Sequence, residues 1–173
     1  SKKERTIARD VYESACVLYA GTDQHALQTH LLLLRPFLFE YRKEIGDSSK
    51  RQEMLGLDLL LLLVQQQLAE FHSLLERVPM QERGNKCINF VIELEQFLSE
   101  GSYNKVLAAR KKSPSKTYNA LLESLEETVR EEIASCVEVA YPKISIVRFF
   151  FPIIFDLNLC SNVFVECRAR HKS

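Results

Sequence analysis

The sequence contains no tryptophan, and only 5 glycines and 5 prolines are spread over its 173 residues. Turn-rich β folds use glycine and proline at their tight turns, so this shortage favours a helix-rich chain. Lys and Arg together number 23, as do Asp and Glu, which leaves no net charge to attract nucleic acid or an anionic membrane. With 46% hydrophobic and 27% charged residues, the composition is typical of a soluble globular domain.

Long apolar runs are lacking as well. The strongest run, residues 59–64, is far shorter than the ~20 residues that a membrane-spanning helix needs. No signal peptide opens the chain, and its start at Ser1 without a methionine suggests a trimmed fragment. We therefore expect neither a membrane nor a nucleic-acid partner.

Paired cysteines are missing. The 5 cysteines are odd in number, scattered, and never spaced as Cys-x-x-Cys. They are Cys16, Cys87, Cys136, Cys160 and Cys167. This pattern predicts reduced thiols in a protein of the cytoplasm and nucleus, rather than a disulfide framework.

Metal-ligand patterns are incomplete. Cys167 and His171 are spaced as i and i+4, but with Cys160 they still lack a fourth ligand and a rigid frame. His25 and His30 are spaced as i and i+5, which does not place them on one helix face. We expect no metal at these residues.

Catalytic patterns are incomplete too. Cys16 and Cys136 lie on apolar helical stripes, where a free cysteine is usually a small buried hydrophobe rather than a nucleophile. Every glycine stands alone, so the sequence has no phosphate-cradling loop. It predicts a non-enzymatic protein with no catalytic, cofactor-binding or metal residue and no small-molecule substrate.

A small basic cluster has two interpretations. Arg110, Lys111 and Lys112 end a predicted helix, and Lys116 lies shortly after them. Cations at a helix C-terminus complement the helix dipole, which is the interpretation we favour. Nucleic-acid contact is the alternative, but no aromatic residues are interleaved with these cations.

Apolar residues recur at helical spacing in seven segments. The predicted helices cover residues 3–20, 24–35, 50–64, 68–78, 86–100, 102–112 and 115–141. Asp23 and Ser115 are predicted N-caps, and Ser49 with Gln52 matches a capping box. Pro36 is expected to end or kink the second helix, because the residue before a proline avoids helical geometry.

Two of these helices carry further expectations. The third is apolar almost all round from Leu59 onward, which predicts burial on more than one side. The last has an apolar stripe on one face and charges on the other, including Glu126 and Arg130 at a favourable spacing. We interpret the charged face as solvated or as the rim of a partner contact.

Residues 93–107 read as a helical hairpin. Gly101 can enter a left-handed C-cap without steric cost, and Ser102 can cap the helix that begins after it. The same turn-then-helix arrangement begins at Gly21 and at Gln66, at spacings of about 45 and about 35 residues. Such periods indicate tetratricopeptide-like repeats. The predicted fold is all-α: a right-handed stack of antiparallel helix pairs, ending in a long helix and an irregular C-terminal tail.

Four stretches carry a family resemblance. They are residues 55–60 (Leu-Gly-Leu-Asp-Leu-Leu), 69–77 (Ala-Glu-Phe-His-Ser-Leu-Leu-Glu-Arg), 94–106 with its run Glu-Gly-Ser-Tyr-Asn-Lys-Val, and 129–136 followed by Ala140-Tyr141. Over residues 5–146 the chain resembles the lid subunits of the 26S proteasome regulatory particle that carry proteasome–COP9–initiation-factor (PCI) domains.

The resemblance implies a non-catalytic scaffold. Such subunits place stacked helices ahead of a C-terminal winged helix, and they act through contacts with other regulatory-particle subunits in ubiquitin-dependent proteolysis. The alternatives are a scaffold subunit of a sister complex, the COP9 signalosome or the translation initiation scaffold, and, more remotely, a thiol-dependent enzyme.

The chain departs from the family pattern after Ile146. A winged helix and a final helix would need roughly another 80 to 100 residues, whereas residues 147–173 form a divergent apolar tail. We expect residues 1–146 to form the helical-repeat part, and the tail to be disordered or the product of truncation or alternative splicing. The tail has the composition of an aggregation-prone segment. Because the winged helix through which the family docks is not recognisable here, we expect impaired incorporation of this chain into the regulatory lid.

Overall fold

The computed structural model describes residues 2–140, and this part of the chain is all-α, as predicted. It contains nine α-helices, two short 3₁₀ segments and no strand. The helices are α1 (Lys2–Tyr19), α2 (Gln24–Phe39), α3 (Arg42–Ile45), α4 (Arg51–Val64), α5 (Leu68–Arg77), α6 (Met80–Arg83), α7 (Lys86–Ser99), α8 (Tyr103–Ala109) and α9 (Asn119–Ala140). The 3₁₀ segments are Arg110–Lys112 and Lys116–Tyr118. The predicted tail, residues 147–173, lies outside the described residues, and the handedness of the stack stays a prediction.

The described residues group into two compact units. The first contains residues 2–92 and 113–122, and the second contains residues 93–112 and 123–140. In the first unit, α1 and α2 form an antiparallel hairpin: Arg5 lies over the ring of Tyr41, and Tyr19 stacks on His30 at 5.1 Å. The predicted hairpin organisation is therefore present.

Helix α4 is the centre of the first unit. All residues from Met54 to Val64 are buried, which confirms the prediction of a helix covered on several sides. One of them, Asp58, is charged, and Arg35 of α2 binds its carboxylate in a bidentate ion pair with N···O distances of 2.8 and 2.9 Å. This ion pair joins α2 to α4 inside a leucine-rich core.

Pro36 was expected either to end or to kink the second helix, and the structure shows that α2 does not end before it. It continues for another turn to Phe39, and the Pro36 carbonyl accepts the backbone N–H groups of Glu40 and Tyr41 at 2.9 and 3.0 Å. A proline removes one intrahelical donor, but only one turn lies beyond it, and that turn buries Leu38 in the core. Burial of this side chain offsets the lost hydrogen bond.

The predicted caps agree with the structure in part. Asp23 caps α2, since its carboxylate accepts the backbone N–H groups of His25 and Ala26 at 2.9 and 3.3 Å. The capping box of Ser49 and Gln52 is wrong, because α4 starts one residue later than that box requires, with Lys50 at its N-cap. The hydroxyl of Ser48 accepts the Lys50 N–H instead, at 3.2 Å.

The start of α9 is also later than predicted. Ser115 caps the 3₁₀ segment Lys116–Tyr118, accepting the Thr117 N–H at 3.3 Å, and α9 itself begins at Asn119. Tyr118 is buried and its hydroxyl donates to the Glu53 carbonyl of α4 at 2.8 Å. This contact sets the position of the segment, so tertiary packing has replaced the first predicted turn of the helix.

The turn at Gly101, in the second unit, has the predicted left-handed conformation. Gly101 has φ of 70°, its N–H donates to the Leu98 carbonyl, and the Ser102 N–H donates to the Phe97 carbonyl. This pair of bonds defines a Schellman motif. Ser102 occupies the N-cap of α8, but its side chain makes no capping hydrogen bond, which corrects that part of the prediction.

The three turns that the sequence aligns are not equivalent. Gln66, with φ of 58°, occupies the position of Gly101 in the same Schellman motif: its N–H donates to the Leu63 carbonyl, and the Gln67 N–H donates to the Leu62 carbonyl. Gly21 has no positive φ. Two of the three repeats therefore share a turn geometry, and the first reverses the chain in another way.

The difference between Gly21 and Gly101 gives a stability prediction. Gly101→Ala is expected to lower the free energy of unfolding by about 1 kcal/mol, because a Cβ is unfavourable at positive φ. Gly21→Ala is the matched control, since an added Cβ there meets nothing within 4 Å, and it should leave stability unchanged or slightly higher. Urea denaturation measures both, and equal effects of the two substitutions would contradict this assignment.

Candidate protein-interaction surface

Helix α1 exposes its apolar side. Ile7 is 63% exposed, Val11 is 59% exposed and Leu18 is 74% exposed. The helical spacing of these apolar residues is part of the pattern that predicts the helix, and an apolar stripe of this kind usually faces a core. Here it faces outward, and we name it the α1 stripe: Ile7, Val11, Ser14, Ala15 and Leu18.

The opposite side of α1 is buried although it is polar. Arg9 and Glu13 are buried together with Cys16. The Arg9 guanidinium donates to the Gly46 carbonyl at 3.2 Å, and the Ser48 hydroxyl donates to Glu13 at 3.0 Å. Hydrogen bonds to the loop before α4 therefore fix the orientation of α1 and leave its apolar side outside.

The geometry of the α1 stripe suits a helix. Ile7, Val11, Ser14 and Leu18 have the alternating spacing of four and three residues found along a coiled-coil seam. With Asp10 and Ala15 they form a shallow, open surface along α1. Small side chains at Ser14 and Ala15 lie between larger apolar ones, so a second helix can approach closely at the middle of the stripe.

The sequence raised Cys16 and Cys136 as candidate nucleophiles, and of these Cys16 is buried; Cys87, which was not a candidate, is half-buried. Burial, and after it the charges of Asp58 and Glu13, raises the pKa of Cys16 to about 12, so this thiol is protonated at neutral pH. Burial also raises the pKa of Cys87. Nothing is described for the side chain of Cys136, and Cys160 and Cys167 lie outside the described residues.

The candidate metal ligands are not brought together where the structure describes them. His30 stacks between α1 and α2 against Tyr19, whereas His25 is exposed in the first turn of α2. Within residues 2–140, no group of three or more His, Cys, Asp or Glu side chains is placed to hold a metal ion. His171 lies outside the described residues, as do its neighbouring cysteines.

The basic cluster is partly engaged. Arg110, the C-cap of α8, forms ion pairs with Glu123 and Glu126 of α9, the latter at 3.0 Å. Glu126 also pairs with Arg130 at 2.5 Å, as the sequence predicted. Two carboxylates on the charged side of α9, those of Glu123 and Glu126, are therefore paired within the second unit. Lys112 and Lys116 are exposed.

None of the helices in the described part of the chain combines the length and the apolar character that crossing a membrane requires.

Comparison with known proteins gives consistent matches. Residues 49–149 match the CSN8/PSMD8/EIF3K family. The 26S proteasome non-ATPase regulatory subunit 8 homolog A of Arabidopsis thaliana is 45% identical over 145 residues, which is 83% of this chain and 54% of the relative. The 26S proteasome non-ATPase regulatory subunit 8 of Caenorhabditis elegans is 30% identical over 171 residues, 98% of this chain and 68% of the relative. The 26S proteasome regulatory subunit rpn12 of Schizosaccharomyces pombe is 31% identical over 147 residues, 83% of this chain and 53% of the relative.

The relatives are longer than this chain. It spans about half the length of the two Arabidopsis relatives that it matches, 54% of homolog A and 51% of homolog B.

Proposed function

The chain belongs to the CSN8/PSMD8/EIF3K family, and from this membership we propose that it is a non-catalytic structural subunit of the proteasome regulatory lid. The observation that carries the proposal is 45% identity with a relative named as a 26S proteasome regulatory subunit, over 83% of this chain. The chain contributes protein–protein contacts to ubiquitin-dependent proteolysis in the cytoplasm and nucleus. Its partners are other subunits of the regulatory particle.

The α1 stripe is the surface through which we expect this role to be exercised. Several relatives are named as subunits of one multisubunit particle, so the occupant is a helix of a neighbouring subunit in that particle. Apolar side chains that are about two thirds exposed cost little to bury against such a helix and gain hydrophobic free energy. The polar buried side of α1 keeps the stripe presented to the partner.

Val11→Glu is expected to weaken co-purification of lid subunits with the tagged chain by at least about tenfold, because the interface would bury an unpaired charge at its centre. Val11 is mostly exposed, so the fold of the chain should survive the substitution. Quantitative mass spectrometry of the tagged chain and its co-purified subunits measures the effect.

The matched control is Met80→Glu, which introduces the same charge at another exposed apolar residue, 78% accessible on α6. This variant should co-purify lid subunits as the wild type does. If Val11→Glu bound the lid at wild-type levels, the assignment of the α1 stripe would be wrong. If the wild-type chain brought down no lid subunit, the proposed function itself would be wrong.

A sister complex is the second candidate function. The matched family includes members beyond the proteasome subunit, as its name shows. The same purification discriminates between them: subunits of the COP9 signalosome or of the translation initiation scaffold would then replace lid subunits. The identity to proteasome relatives favours the lid.

A further inference from the structure

The segment between the 3₁₀ turn Arg110–Lys112 and α9 has an unusual composition. Residues 113–116 read Ser-Pro-Ser-Lys, and neither Ser113 nor Pro114 belongs to a helix. Ser115 has an extended backbone, with φ of −142° and ψ of 147°. A residue that precedes proline is itself biased toward extended geometry. Ser113 is followed by proline and has a cation two residues beyond that proline, a sequence pattern that a proline-directed kinase recognises, and it lies in a part of the segment that is not helical.

The two serines of this segment differ in their contacts. The Ser113 hydroxyl makes one exposed hydrogen bond, donating to Asn119 Oδ1 at 2.8 Å. The Ser115 hydroxyl is held by three partners: it accepts the Thr117 N–H, contacts Thr117 Oγ1 at 3.1 Å and donates to Glu53 Oε1 at 2.5 Å. An exposed neutral hydrogen bond contributes little net stability, so Ser113 is the hydroxyl that a kinase can reach.

The flanking residues complete a recognition segment. Pro114 and Lys116 are exposed. Proline has no backbone N–H, so an apolar kinase pocket can receive Pro114 without leaving a donor unpaired. Lys116 offers a mobile ammonium to an acidic site on the enzyme.

We propose that Ser113 is a phosphorylation site for a proline-directed serine/threonine kinase, with ATP as the phosphate donor. The Ser113 Oγ attacks the γ-phosphorus, and a new P–O bond forms as the bond from that phosphorus to the β–γ bridging oxygen breaks. ADP leaves, and the hydroxyl proton passes to a carboxylate base of the kinase. This site is independent of the proposed role in the lid.

Phosphorylation changes the local hydrogen bonding. A phosphoserine carries a charge of about −1.5 to −2 at neutral pH and three strong acceptor oxygens. The esterified Ser113 Oγ no longer carries the proton that it donates to Asn119 Oδ1, so the hydrogen bond that links this segment to the first residue of α9 is lost. The modification therefore acts at the junction between the segment and the helix.

The test uses the full chain, ATP and a purified cyclin-dependent kinase with its cyclin, with phosphate located by peptide mass spectrometry. Wild type and Ser115→Ala should be modified at Ser113, and Ser113→Ala should not be modified at that peptide. Pro114→Ala should slow the reaction by at least about tenfold, since it presents a donor to the apolar pocket. Lys116→Gln is a second variant, also at an exposed position, that should slow the reaction.

Helical circular dichroism of each variant confirms that the chain is folded. Phosphate on Ser115 rather than Ser113, equal rates for wild type and Pro114→Ala, or no incorporation into the folded wild-type chain would each overturn the proposal.

Discussion

Replacing Gly56 with alanine is expected to destabilise the chain by about 2 to 4 kcal/mol, more than any other exchange of a glycine for alanine in the part of the chain that the structure describes. Gly56 lies in the middle of α4, where glycine normally costs about 1 kcal/mol relative to alanine. On helix propensity alone, the substitution should therefore stabilise the protein. The residues that surround Gly56 reverse the expected sign of this change in stability.

Two neighbours approach Gly56 closely. A Cβ at this position would overlap the Tyr118 hydroxyl and would lie 3.1 Å from the Cys87 carbonyl oxygen. Tyr118 is fully buried and its hydroxyl donates to the Glu53 carbonyl, so its ring has little freedom to withdraw. The added methyl group must therefore displace backbone at the start of α7, the buried tyrosine, or both.

The control for this prediction is Gly84→Ala. An added Cβ at Gly84 meets nothing within 4 Å, and its φ of −72° is open to any residue, so stability should change little. Tyr118→Phe alone should cost about 1 kcal/mol, through loss of the hydrogen bond to Glu53.

The double variant tests the mechanism. Combined with Gly56→Ala, Tyr118→Phe should cost less than the sum of the two single changes, because it removes the overlapping oxygen. Urea denaturation of the four proteins gives the coupling free energy. Strict additivity would show that the hydroxyl is not what excludes the methyl group.

The role of Gly56 also shows which features the sequence could not provide. The apolar character of α4 predicted its burial on several sides correctly, since every residue from Met54 to Val64 is inside. The reason for a glycine within it lies in Tyr118, which is distant in sequence. Hydrophobic periodicity reports which side of a helix is apolar, but not which distant residue packs against it.

Helix α1 shows most clearly what a hydrophobic pattern cannot predict, namely which side of a helix is buried. Its extent was predicted well, but the apolar stripe faces solvent and Arg9 and Glu13 face the protein. A second line of residues at helical spacing, Arg9, Glu13, Cys16 and Ala20, is visible in the sequence and is the buried one. The sequence does not indicate that this line is buried, because two of its members, Arg9 and Glu13, are charged. Their hydrogen-bond partners Gly46 and Ser48 come from a loop that only folding brings close.

Turns and caps were predicted correctly where they depend on neighbouring residues in the sequence, and less well where they do not. Asp23 and Gly101 act as predicted because their roles depend on neighbours along the chain. Gln66 adopts a positive φ that its residue type does not predict, and it forms the same motif as Gly101. Local chemistry thus identified the hairpins, whereas the tertiary contact between Tyr118 and Glu53 sets the residue at which α9 begins.

The ion pair between Arg35 and Asp58 gives a second prediction of a large loss of stability. The Asp58 side chain is only 3% exposed and that of Arg35 is 21% exposed, so the carboxylate depends on the guanidinium far more than the reverse. Burial raises the pKa of Asp58, and the two hydrogen bonds from Arg35 act in the opposite direction. Glu70 of α5 also raises the pKa of Asp58, and Cys16 of α1 is close enough to feel its charge.

Arg35→Met should therefore lower the free energy of unfolding by about 3 to 5 kcal/mol at neutral pH, because an unpaired carboxylate would remain in the core. The double variant Arg35→Met/Asp58→Leu should recover most of this loss, since an apolar pair of similar volume has no charge to desolvate. Arg130→Met is the control: the Arg130 side chain is 52% exposed and its partner Glu126 also pairs with Arg110, so the loss of Arg130 should cost less than about 0.5 kcal/mol.

The pH dependence separates this electrostatic cause from a packing defect. Without Arg35, the folded-state pKa of Asp58 rises further above its unfolded value, so the folded state holds the proton more tightly than the unfolded state does. Stability gained by the protonated form is present at low pH and is lost as pH rises through the folded-state pKa. The difference between wild type and Arg35→Met should thus be larger at about pH 8 than at about pH 5. The thiol of Cys16 stays protonated throughout this range, because its pKa is raised to about 12. A difference that did not change with pH would mean that Arg35 stabilises the core by packing, and the double variant would then fail to recover stability.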